Sequence, residues 1–382
     1  MKSDTGKGNP AGTAAEMWFQ LLMLSVIFGV GCALGWVIWG RAGTAEDGSR
    51  GLNGSGPPRR IVLGVSRAGG EPPAAGRRDA GSESLKKCYR ALALVDPDAR
   101  GAEFIAALRE MKPEDALPLF ARIKEDIAPD KAPNREWEAF LRGWGEVDPK
   151  GAIEFALSRD TPKSQGFFLK MMIEGWARRD YVAAAQWLNE HPNAPEWDGI
   201  CAGLLRGIAS RDPWLASATA IASIPDGSDW LRDYAAGYIA AAMARRGGTE
   251  EVKRWFESIP AGSDMERKFK EKGMSLTAQQ LEQGDPAEAR KWLRAQPPEP
   301  WRSPAVYAAA AKKLAKTDRA GALNWLASLP KGAAPLDMEA GREIYRAWLA
   351  EKPEEATQWA GSFVDETFLR EIGALKPVPK PR

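Results

Sequence analysis

The sequence predicts an all-α protein: a right-handed superhelical solenoid of about eight helix-turn-helix repeats, preceded by one transmembrane helix. Three observations lead to this prediction. Residues 17–40 carry no charged side chain. Further along the chain, apolar residues recur at helical spacing, so that each segment has one apolar face. A motif built around an Asp-Pro pair returns every 32 to 37 residues between residues 113 and 353, a period typical of stacked helical hairpins.

Residues 17–40, MWFQLLMLSVIFGVGCALGWVIWG, predict a membrane-spanning helix. At about 1.5 Å per residue, such a helix covers a hydrocarbon core of about 30 Å, with Trp18 and Trp39 at the two interfaces. The alternative is a cleaved signal peptide, for which Gly43 and Ala45 offer small residues. The apolar stretch is longer than the usual run of roughly 7–15 residues and follows Glu16 instead of a basic region. These features favour an uncleaved anchor behind a short tail, residues 1–16.

The sequence leaves the membrane topology open. Four arginines lie between this segment and residue 60, against two lysines before it, which favours a cytoplasmic C-terminal side by the positive-inside rule. Large domains behind an N-terminal anchor are translocated largely regardless of such charges, an arrangement common in bacteria. We therefore expect a single-pass inner (cytoplasmic) membrane protein whose repeat domain lies in the periplasm in preference to the cytoplasm.

The rest of the chain divides by composition. Residues 41–82 are rich in Gly, Arg, Pro and Ala with one short apolar break, IVLG, and are predicted to be a disordered linker because they cannot bury enough apolar surface to fold. Residues 83–98 predict a capping helix whose apolar face carries Leu85, Cys88, Tyr89 and Leu92. Helical repeats are predicted over residues 99–371, and the Pro-rich residues 372–382 predict an extended tail.

Charge and cysteine usage exclude several classes of protein. The chain of 382 residues has a formal charge of +2, and this small excess lies in the linker, so the repeats lack the basic surface that nucleic-acid binding requires. The three cysteines, Cys32, Cys88 and Cys201, lie far apart. Neither a disulfide framework nor a CxxC metal site is predicted from this spacing, and each cysteine is expected to be a small buried hydrophobe.

Each repeat can be aligned on the second residue of the Asp-Pro pair or on its equivalent in repeats that lack this pair, here termed the anchor. The eight anchors are Pro113, Pro149, Tyr181, Pro213, Thr249, Pro286, Arg319 and Pro353. The third residue after the anchor is small and apolar, and it is Ala116, Ala152, Ala184, Ala216, Val252, Ala289, Ala322 or Ala356. The sixth residue is often aromatic, and it is Leu119, Phe155, Trp187, Thr219, Trp255, Trp292, Trp325 or Trp359.

These positions predict two helices in each repeat. An aspartate before the anchor is expected to be an N-cap, where its carboxylate accepts backbone N–H groups; these residues are Asp148, Asp180, Asp212, Asp285 and Asp318. A proline at the anchor then occupies the first helical position, where its missing N–H costs little. The residues 12, 9, 8 and 5 positions before the anchor share one face of the preceding helix, as in Leu169, Met172, Ile173 and Trp176.

The two spacings resemble those of tetratricopeptide repeats. The four positions in the first helix match W-x2-L-G-x2-Y, and Ala184 to Leu188 matches A-x3-F. The consensus glycine is replaced by Leu141, Ile173 or Leu205, and a tryptophan is added six residues after the anchor. The chain also resembles bacterial membrane-anchored arrays of WAxxDPxAAxxWL units, whose function is unassigned. This resemblance implies a fold and no particular chemistry, and HEAT-like or Sel1-like stacking remains an alternative.

No catalytic, cofactor-binding or metal-binding residues are predicted. His191 is the only histidine, so no second histidine completes a typical metal site, and other repeats place Ile123, Ile259 or Leu329 at the same position in the last turn of a helix. The paired carboxylates Glu250-Glu251 and Glu354-Glu355 fall in first helical turns, where acids are favoured for structural reasons. The linker glycines lack the strand and helix of a phosphate-binding loop. We therefore expect a protein that is not an enzyme.

The predicted function is a non-catalytic, membrane-tethered scaffold that binds an unidentified protein or peptide through the first helices of its superhelix. Arg142, Lys170, Arg206 and Lys313 lie on these helices, but charged residues are common on solvated helix faces, so no binding site is assigned. One alternative is an envelope protein that binds or processes cell-wall glycans, for which tryptophans outside the repeat pattern are candidates: Trp197, Trp214, Trp230 and Trp301. A purely structural spacer is another, and the sequence does not fix the oligomeric state.

Overall fold

The computed structural model describes residues 60–61, 82–126, 135–330 and 338–375. The predicted N-terminal tail, the transmembrane helix, Cys32 and most of the linker and C-terminal tail lie outside these residues. All described residues belong to one compact unit. The regular secondary structure of this unit is helical, and no strand occurs in the described residues. The all-α prediction is therefore confirmed for this part of the chain.

Sixteen α-helices and one 3₁₀ turn follow one another in the described segments. They are α1 (Glu83–Leu92), α2 (Pro97–Leu108), the 3₁₀ turn Pro113–Asp115, α3 (Ala116–Asp126), α4 (Arg135–Val147), α5 (Pro149–Leu157), α6 (Pro162–Glu190), α7 (Trp197–Ala209), α8 (Pro213–Ser223), α9 (Asp229–Ser258), α10 (Asp264–Gly284), α11 (Pro286–Ala295), α12 (Pro304–Ala315), α13 (Arg319–Ala327), α14 (Glu339–Glu351), α15 (Pro353–Ser362) and α16 (Glu366–Glu371). Among these helices, none is both long and apolar enough to cross a membrane.

The anchors fall where second helices begin. Five of them are the first residues of α5, α8, α11, α13 and α15, and Pro113 begins the 3₁₀ turn that leads into α3. The predicted aspartate caps are also found. In four of the five cases the carboxylate accepts a backbone N–H within 3.1 Å at the start of its own helix: Asp148, Asp212, Asp285 and Asp318.

Two long helices each contain a first and a second helix that are separated by a break instead of a loop. In α6 the break is Asp180, with φ −142° and ψ 85°, whose carboxylate accepts the N–H of Ala183 at 3.0 Å. In α9 the break is Gly247 and Gly248. Gly248 has φ +65°, a left-handed conformation that glycine adopts at no steric cost. The expected helix-turn-helix connection is thus reduced to one or two residues.

First helices contact one another in succession along the chain. The contacts run from α2 to α4, α6, α7, α9, α10, α12 and α14. Glycines permit the closest approaches: a Cβ on Gly145 of α4 would lie 1.9 Å from the carbonyl oxygen of Met172, and one on Gly203 of α7 would lie 2.2 Å from that of Lys170. Because any side chain would clash there, the backbones of α4, α6 and α7 pack directly against each other.

The added tryptophans connect consecutive second helices. The indole N–H of Trp255 donates to Ser217 Oγ of the preceding repeat at 2.9 Å, and that of Trp359 donates to Asn324 Oδ1 at 3.0 Å. Trp325 makes a longer bond of the same kind, 3.4 Å, to the carbonyl oxygen of Arg290. Tryptophan therefore supplies both apolar area and an inter-repeat hydrogen bond, which phenylalanine at this position could not provide.

Helix α1 closes the start of the array. Its N-cap, Ser82, and Ser84 both donate hydroxyl protons to the buried carboxylate of Asp115, at 2.6 Å each. Leu85 and Cys88 are buried beneath the helix, and Cys201 is buried in α7. Burial, with Asp115 as a second cause, raises the pKa of the Cys88 thiol to about 11. The two described cysteines are thus small buried hydrophobes, as the sequence predicts.

Candidate binding surface

Charged and aromatic side chains come together on neighbouring first helices between the second and fifth repeats. Arg142, Glu174 and Arg206 lie seven residues before their anchors in α4, α6 and α7. Lys170 lies one turn before Glu174, and Tyr238 projects from the adjacent α9. Because these first helices contact one another, residues that are 32 or more positions apart in the sequence become neighbours. We term this group, with Glu138, Arg178, Trp230 and Tyr234, the first-helix cluster.

Glu174 organises the charged part of the cluster. Its side chain is fully buried, and its Oε1 atom lies 2.8 Å from Arg178 Nη2, 3.1 Å from Arg142 Nε and 3.4 Å from Arg206 Nε. Arg142 also pairs with Glu138 at 2.5 Å. One buried carboxylate therefore fixes the positions of three guanidinium groups from three successive first helices.

The cluster carries an excess of positive charge. Lys170 adds a fourth cation, so that four cations face the two carboxylates of Glu138 and Glu174. Within the part of the chain that the structure describes, the Lys170 ammonium has no carboxylate within 4 Å; it lies 4.7 Å from the centre of the Tyr234 ring and 5.9 Å from that of Trp230. Burial lowers the pKa of this ammonium. A desolvated cation with no carboxylate at ion-pair distance favours an anionic ligand.

Aromatic rings form the other half of the cluster. Trp230, Tyr234 and Tyr238 are spaced four residues apart, so they share one face of α9. Trp230 stacks on Tyr234 at 5.1 Å between ring centres, and Tyr234 meets Tyr238 edge-on at 4.5 Å. The Arg206 guanidinium lies 4.4 Å from the centre of the Tyr238 ring, a distance typical of a cation–π contact. Burial raises the pKa of both tyrosines above the ordinary value for a phenol.

The cluster reaches solvent through a few groups. Trp230 is 54% exposed, the largest exposed aromatic side chain among the described residues, and Arg178 is 37% exposed at its side chain. The second carboxylate oxygen of Glu174 and the Nε atom of Arg178 are buried and have no hydrogen-bond partner in the described structure. Aromatic and arginine side chains of this kind are enriched at the centres of protein interfaces. The composition of the surface is therefore suited to binding.

His191 is held by structural contacts. Its ring stacks on the ring of Trp187 at 4.3 Å between ring centres, and its Nδ1 atom lies 2.7 Å from the backbone carbonyl oxygen of Trp187. Within the described residues, no three or more His, Cys, Asp or Glu side chains are grouped so that they could hold a metal ion. The histidine thus occupies the end of a second helix, as the comparison of repeats predicts.

The paired carboxylates also have local partners. Glu251 is buried, accepts the indole N–H of Trp214 at 3.0 Å and pairs with Arg254 at 2.5 Å. Glu355 binds Lys352 at 2.9 Å, which lowers the pKa of this carboxyl. These contacts give Glu251 and Glu355 structural partners within the described residues.

The structure separates the residues that the sequence grouped. Arg142, Lys170 and Arg206 belong to the first-helix cluster, whereas Lys313 pairs with Glu282 at 3.1 Å between α12 and α10. Trp197 and Trp301 are buried, and only Trp230 of the four non-repeat tryptophans is exposed. Glu174, Tyr234 and Tyr238 were not predicted from the sequence. The four-residue spacing of the aromatic residues in α9, and the equivalent positions of Arg142, Glu174 and Arg206, are the signals that could have found them.

Comparisons with models of protein families, with curated proteins and with solved structures find no match to this chain.

Proposed function

We propose that residues 99–371 form a right-handed superhelix of eight tetratricopeptide-like helix pairs, and that this array is a non-catalytic scaffold for protein interaction. The succession of contacts between first helices supports the superhelix, since each repeat then buries its apolar faces against its neighbours. The inter-repeat bonds of Trp255, Trp325 and Trp359 support the same stacking. The first-helix cluster is the proposed binding site.

The single observation that carries this proposal is the preorganised excess of cations beside an exposed tryptophan. Glu174 holds three arginines in place before any partner arrives, which reduces the entropy cost of binding. Lys170 supplies a positive charge with no acidic partner within 4 Å among the described residues. A peptide segment that carries carboxylates and one large apolar side chain complements these groups, with the apolar side chain packed on Trp230.

The membrane tether is part of this proposal. Residues 17–40 would anchor the scaffold in the inner membrane, with residues 41–82 as the linker and the array in the periplasm. The array would then bind its partner close to the membrane surface. The glycan-binding alternative has less support, because Trp197 and Trp301 are buried and cannot stack on a sugar. The spacer alternative does not explain why the first-helix cluster combines an excess of cations with an exposed tryptophan.

The proposal is tested by cross-linking from the cluster. A photo-reactive phenylalanine analogue placed at position 230 of the full chain should capture a reproducible set of proteins or peptides in cells. The matched control is the same analogue at Leu117, which is also exposed, at 59%, but lies on the second-helix segment α3. Captured proteins common to both positions would count as background, and equal capture at both positions would contradict the proposed site.

Charge and aromatic contributions are separated with variants of the full chain. Lys170→Met and Trp230→Ala should each reduce co-purification of the captured partner with the full chain at least about tenfold, the effect of losing roughly 1.4 kcal/mol at a binding hot spot. Lys150→Met, an exposed lysine on the second helix α5, and Leu117→Ala should leave co-purification unchanged. Binding to a glycan array that is lost in Trp230→Ala, together with no reproducible protein capture, would replace the scaffold with the glycan-binding alternative.

A further inference from the structure

One described residue of the predicted linker contacts the helical array at a residue outside the first-helix cluster. The backbone N–H of Ile61 donates to Asn189 Oδ1 at 2.5 Å, and Asn189 Nδ2 donates to the carbonyl oxygen of Ile61 at 2.9 Å. The Ile61 side chain is only 3% exposed and joins the buried apolar cluster that also contains Ala185 and Leu188 of α6. A composition-based prediction of a solvated linker does not account for this contact.

The geometry is that of peptide recognition. A single carboxamide satisfies both backbone groups of one residue, as the neighbouring strand of a sheet would. This kind of bond recognises extended backbone and does not depend on the identity of the side chain. The apolar surface that buries Ile61 then adds a preference for an apolar residue. Backbone and side chain are thus recognised separately at the same place.

Only one of the eight repeats has a carboxamide side chain at the position of Asn189. Asn189 lies eight residues after its anchor, and the equivalent positions hold Ala121, Leu157, Ile221, Glu257, Arg294, Ala327 and Gly361. Alkyl side chains form no hydrogen bonds, an ionised glutamate cannot donate, and an arginine cannot accept. No other repeat can therefore hold both backbone groups of a peptide residue from this position. The site is a feature of the third repeat alone.

We propose that Asn189 and the apolar surface beside it form a second peptide-binding site, and that Ile61 is its resident intramolecular ligand. In the sequence, Ile61 begins the run Ile61-Val62-Leu63, the only strongly apolar stretch between residues 41 and 82. Docking of Ile61 makes this point of the chain a reversible attachment to the array, here termed the strap. A partner peptide with an extended apolar segment would have to displace it, so occupancy of the site controls whether the strap is bound or released.

A consequence for the tether follows, and this consequence alone rests on the proposed membrane anchor. With Ile61 docked, residues 41–60 are the part of the sequence that connects the proposed anchor to the array. Fully extended, about 20 residues reach about 70 Å, whereas the whole linker would reach about twice as far. Release of the strap would therefore extend the distance over which the array can search for a partner.

The first experiment uses trypsin on the full chain, purified in a mild detergent. The bond between Arg60 and Ile61 is a tryptic site, and the docked backbone should protect it. We expect Asn189→Ala to increase cleavage after Arg60 at least about tenfold, because opening no longer has to break both hydrogen bonds. Cleavage after Arg77 and Arg78 serves as the internal reference. Asn193→Ala, an exposed asparagine near the end of the same helix, is the matched control and should cleave like the natural chain.

The second experiment measures binding of the free segment. A fluorescent peptide of residues 57–65 should bind the Ile61→Ser chain at least about tenfold more tightly than the natural chain, in which the tethered segment competes at high effective concentration. The double variant Ile61→Ser with Asn189→Ala should not bind it. Circular dichroism establishes that each variant keeps its helix content.

Three results would overturn the proposal. One is cleavage after Arg60 in Asn189→Ala within twofold of the natural chain. Another is equal binding of the peptide to the natural and Ile61→Ser chains. The third is protection of the Arg60–Ile61 bond that increases with protein concentration, which would assign the occupant of the site to a second copy of the chain. Because none of these measurements involves the first-helix cluster, failure here leaves the proposed scaffold function untouched.

Discussion

At the residue scale, Glu174 shows how one side chain can connect three repeats. It is fully buried, and its carboxylate is the shared partner of Arg142, Arg178 and Arg206. A buried ion pair contributes little net stability relative to a well-packed apolar core, but removing one member leaves uncompensated charge. The carboxylate is therefore more important for keeping the arginines together than for the net stability of the fold.

We expect Glu174→Gln to lower the free energy of unfolding by about 3 kcal/mol, because four cations would then face a single carboxylate. Urea unfolding followed by circular dichroism measures this loss. Glu154→Gln, an exposed glutamate on α5, is the matched control and should change stability by less than about 0.5 kcal/mol.

A double-mutant cycle shows whether the loss comes from charge. Removing one cation with Arg178→Met should restore part of the stability lost in Glu174→Gln, since the two residues are in direct contact. Strictly additive losses in the double variant would mean that Glu174 acts by packing alone, and the electrostatic role assigned to it would be wrong.

Roles that depend on neighbouring residues in the sequence could be predicted, whereas roles that depend on contacts between distant residues could not. Asp148 and Asp212 cap helices because the cap and the N–H groups it binds are sequence neighbours. Glu174 meets Arg142 and Arg206 across 32 residues on either side, and this contact depends on how closely the first helices approach. The sequence contains the equivalent positions of these residues, but nothing in a single sequence distinguishes a shared buried face from a solvated one.

At the element scale, glycine sets the distance between first helices. A Cβ on Gly175 of α6 would lie 1.8 Å from the carbonyl oxygen of Arg142 in α4, and one on Gly207 of α7 would lie 2.5 Å from that of Glu174. The close approach that these glycines permit also brings Arg142, Glu174 and Arg206 within ion-pair distance. The glycines are therefore part of what assembles the first-helix cluster.

Gly175→Ala should destabilise the array by about 3 kcal/mol, because α4 and α6 must separate to relieve the clash with backbone. The matched control is Gly237→Ala in α9, where a Cβ would meet nothing within 4 Å. That substitution should stabilise the protein by about 0.5–1 kcal/mol, since alanine restricts the unfolded chain and favours helix. Thermal unfolding of the two variants measures both effects, and a loss of similar size in both would show that the close approach is not what matters.

The element boundaries illustrate where sequence reasoning stops. Hydrophobic periodicity and Asp-Pro pairs predict where second helices begin, because the signal is local. The near-continuous helices α6 and α9 were not predicted, since the sequence does not show that a single non-helical residue such as Asp180 is enough to separate the two helices of a repeat. Likewise, the role of the added tryptophans became clear only from the position of Ser217 and Asn324 in the preceding repeats.

At the scale of the whole described unit, the apolar core is divided into two clusters. The first extends from Ile61 to Phe269 and the second from Phe256 to Ile372. The division passes through α9, where Trp255 belongs to the first cluster and its neighbour Phe256 to the second. The sequence predicts a chain of equivalent repeats, but adjacent residues that face different clusters cannot be recognised from a period alone.

Because the core is divided into two clusters, a substitution that creates a cavity in one cluster should destabilise only the helices near it. In stacked repeats each unit contacts only its neighbours, so a cavity should weaken nearby helices more than distant ones. Leu205→Ala removes a buried side chain from the first cluster, and Leu323→Ala removes one from the second. Each should cost about 2–5 kcal/mol locally, as such truncations do in other cores.

Hydrogen exchange followed by mass spectrometry distinguishes the two effects. Leu205→Ala should accelerate exchange in α6, α7 and α8 and leave α13 to α15 close to the natural rate, whereas Leu323→Ala should do the reverse. The two variants serve as controls for each other, since both replace a buried leucine by alanine. Equal acceleration of every helix by either variant would mean that the two clusters unfold as one cooperative unit, and the division at Trp255 and Phe256 would then have no consequence for stability.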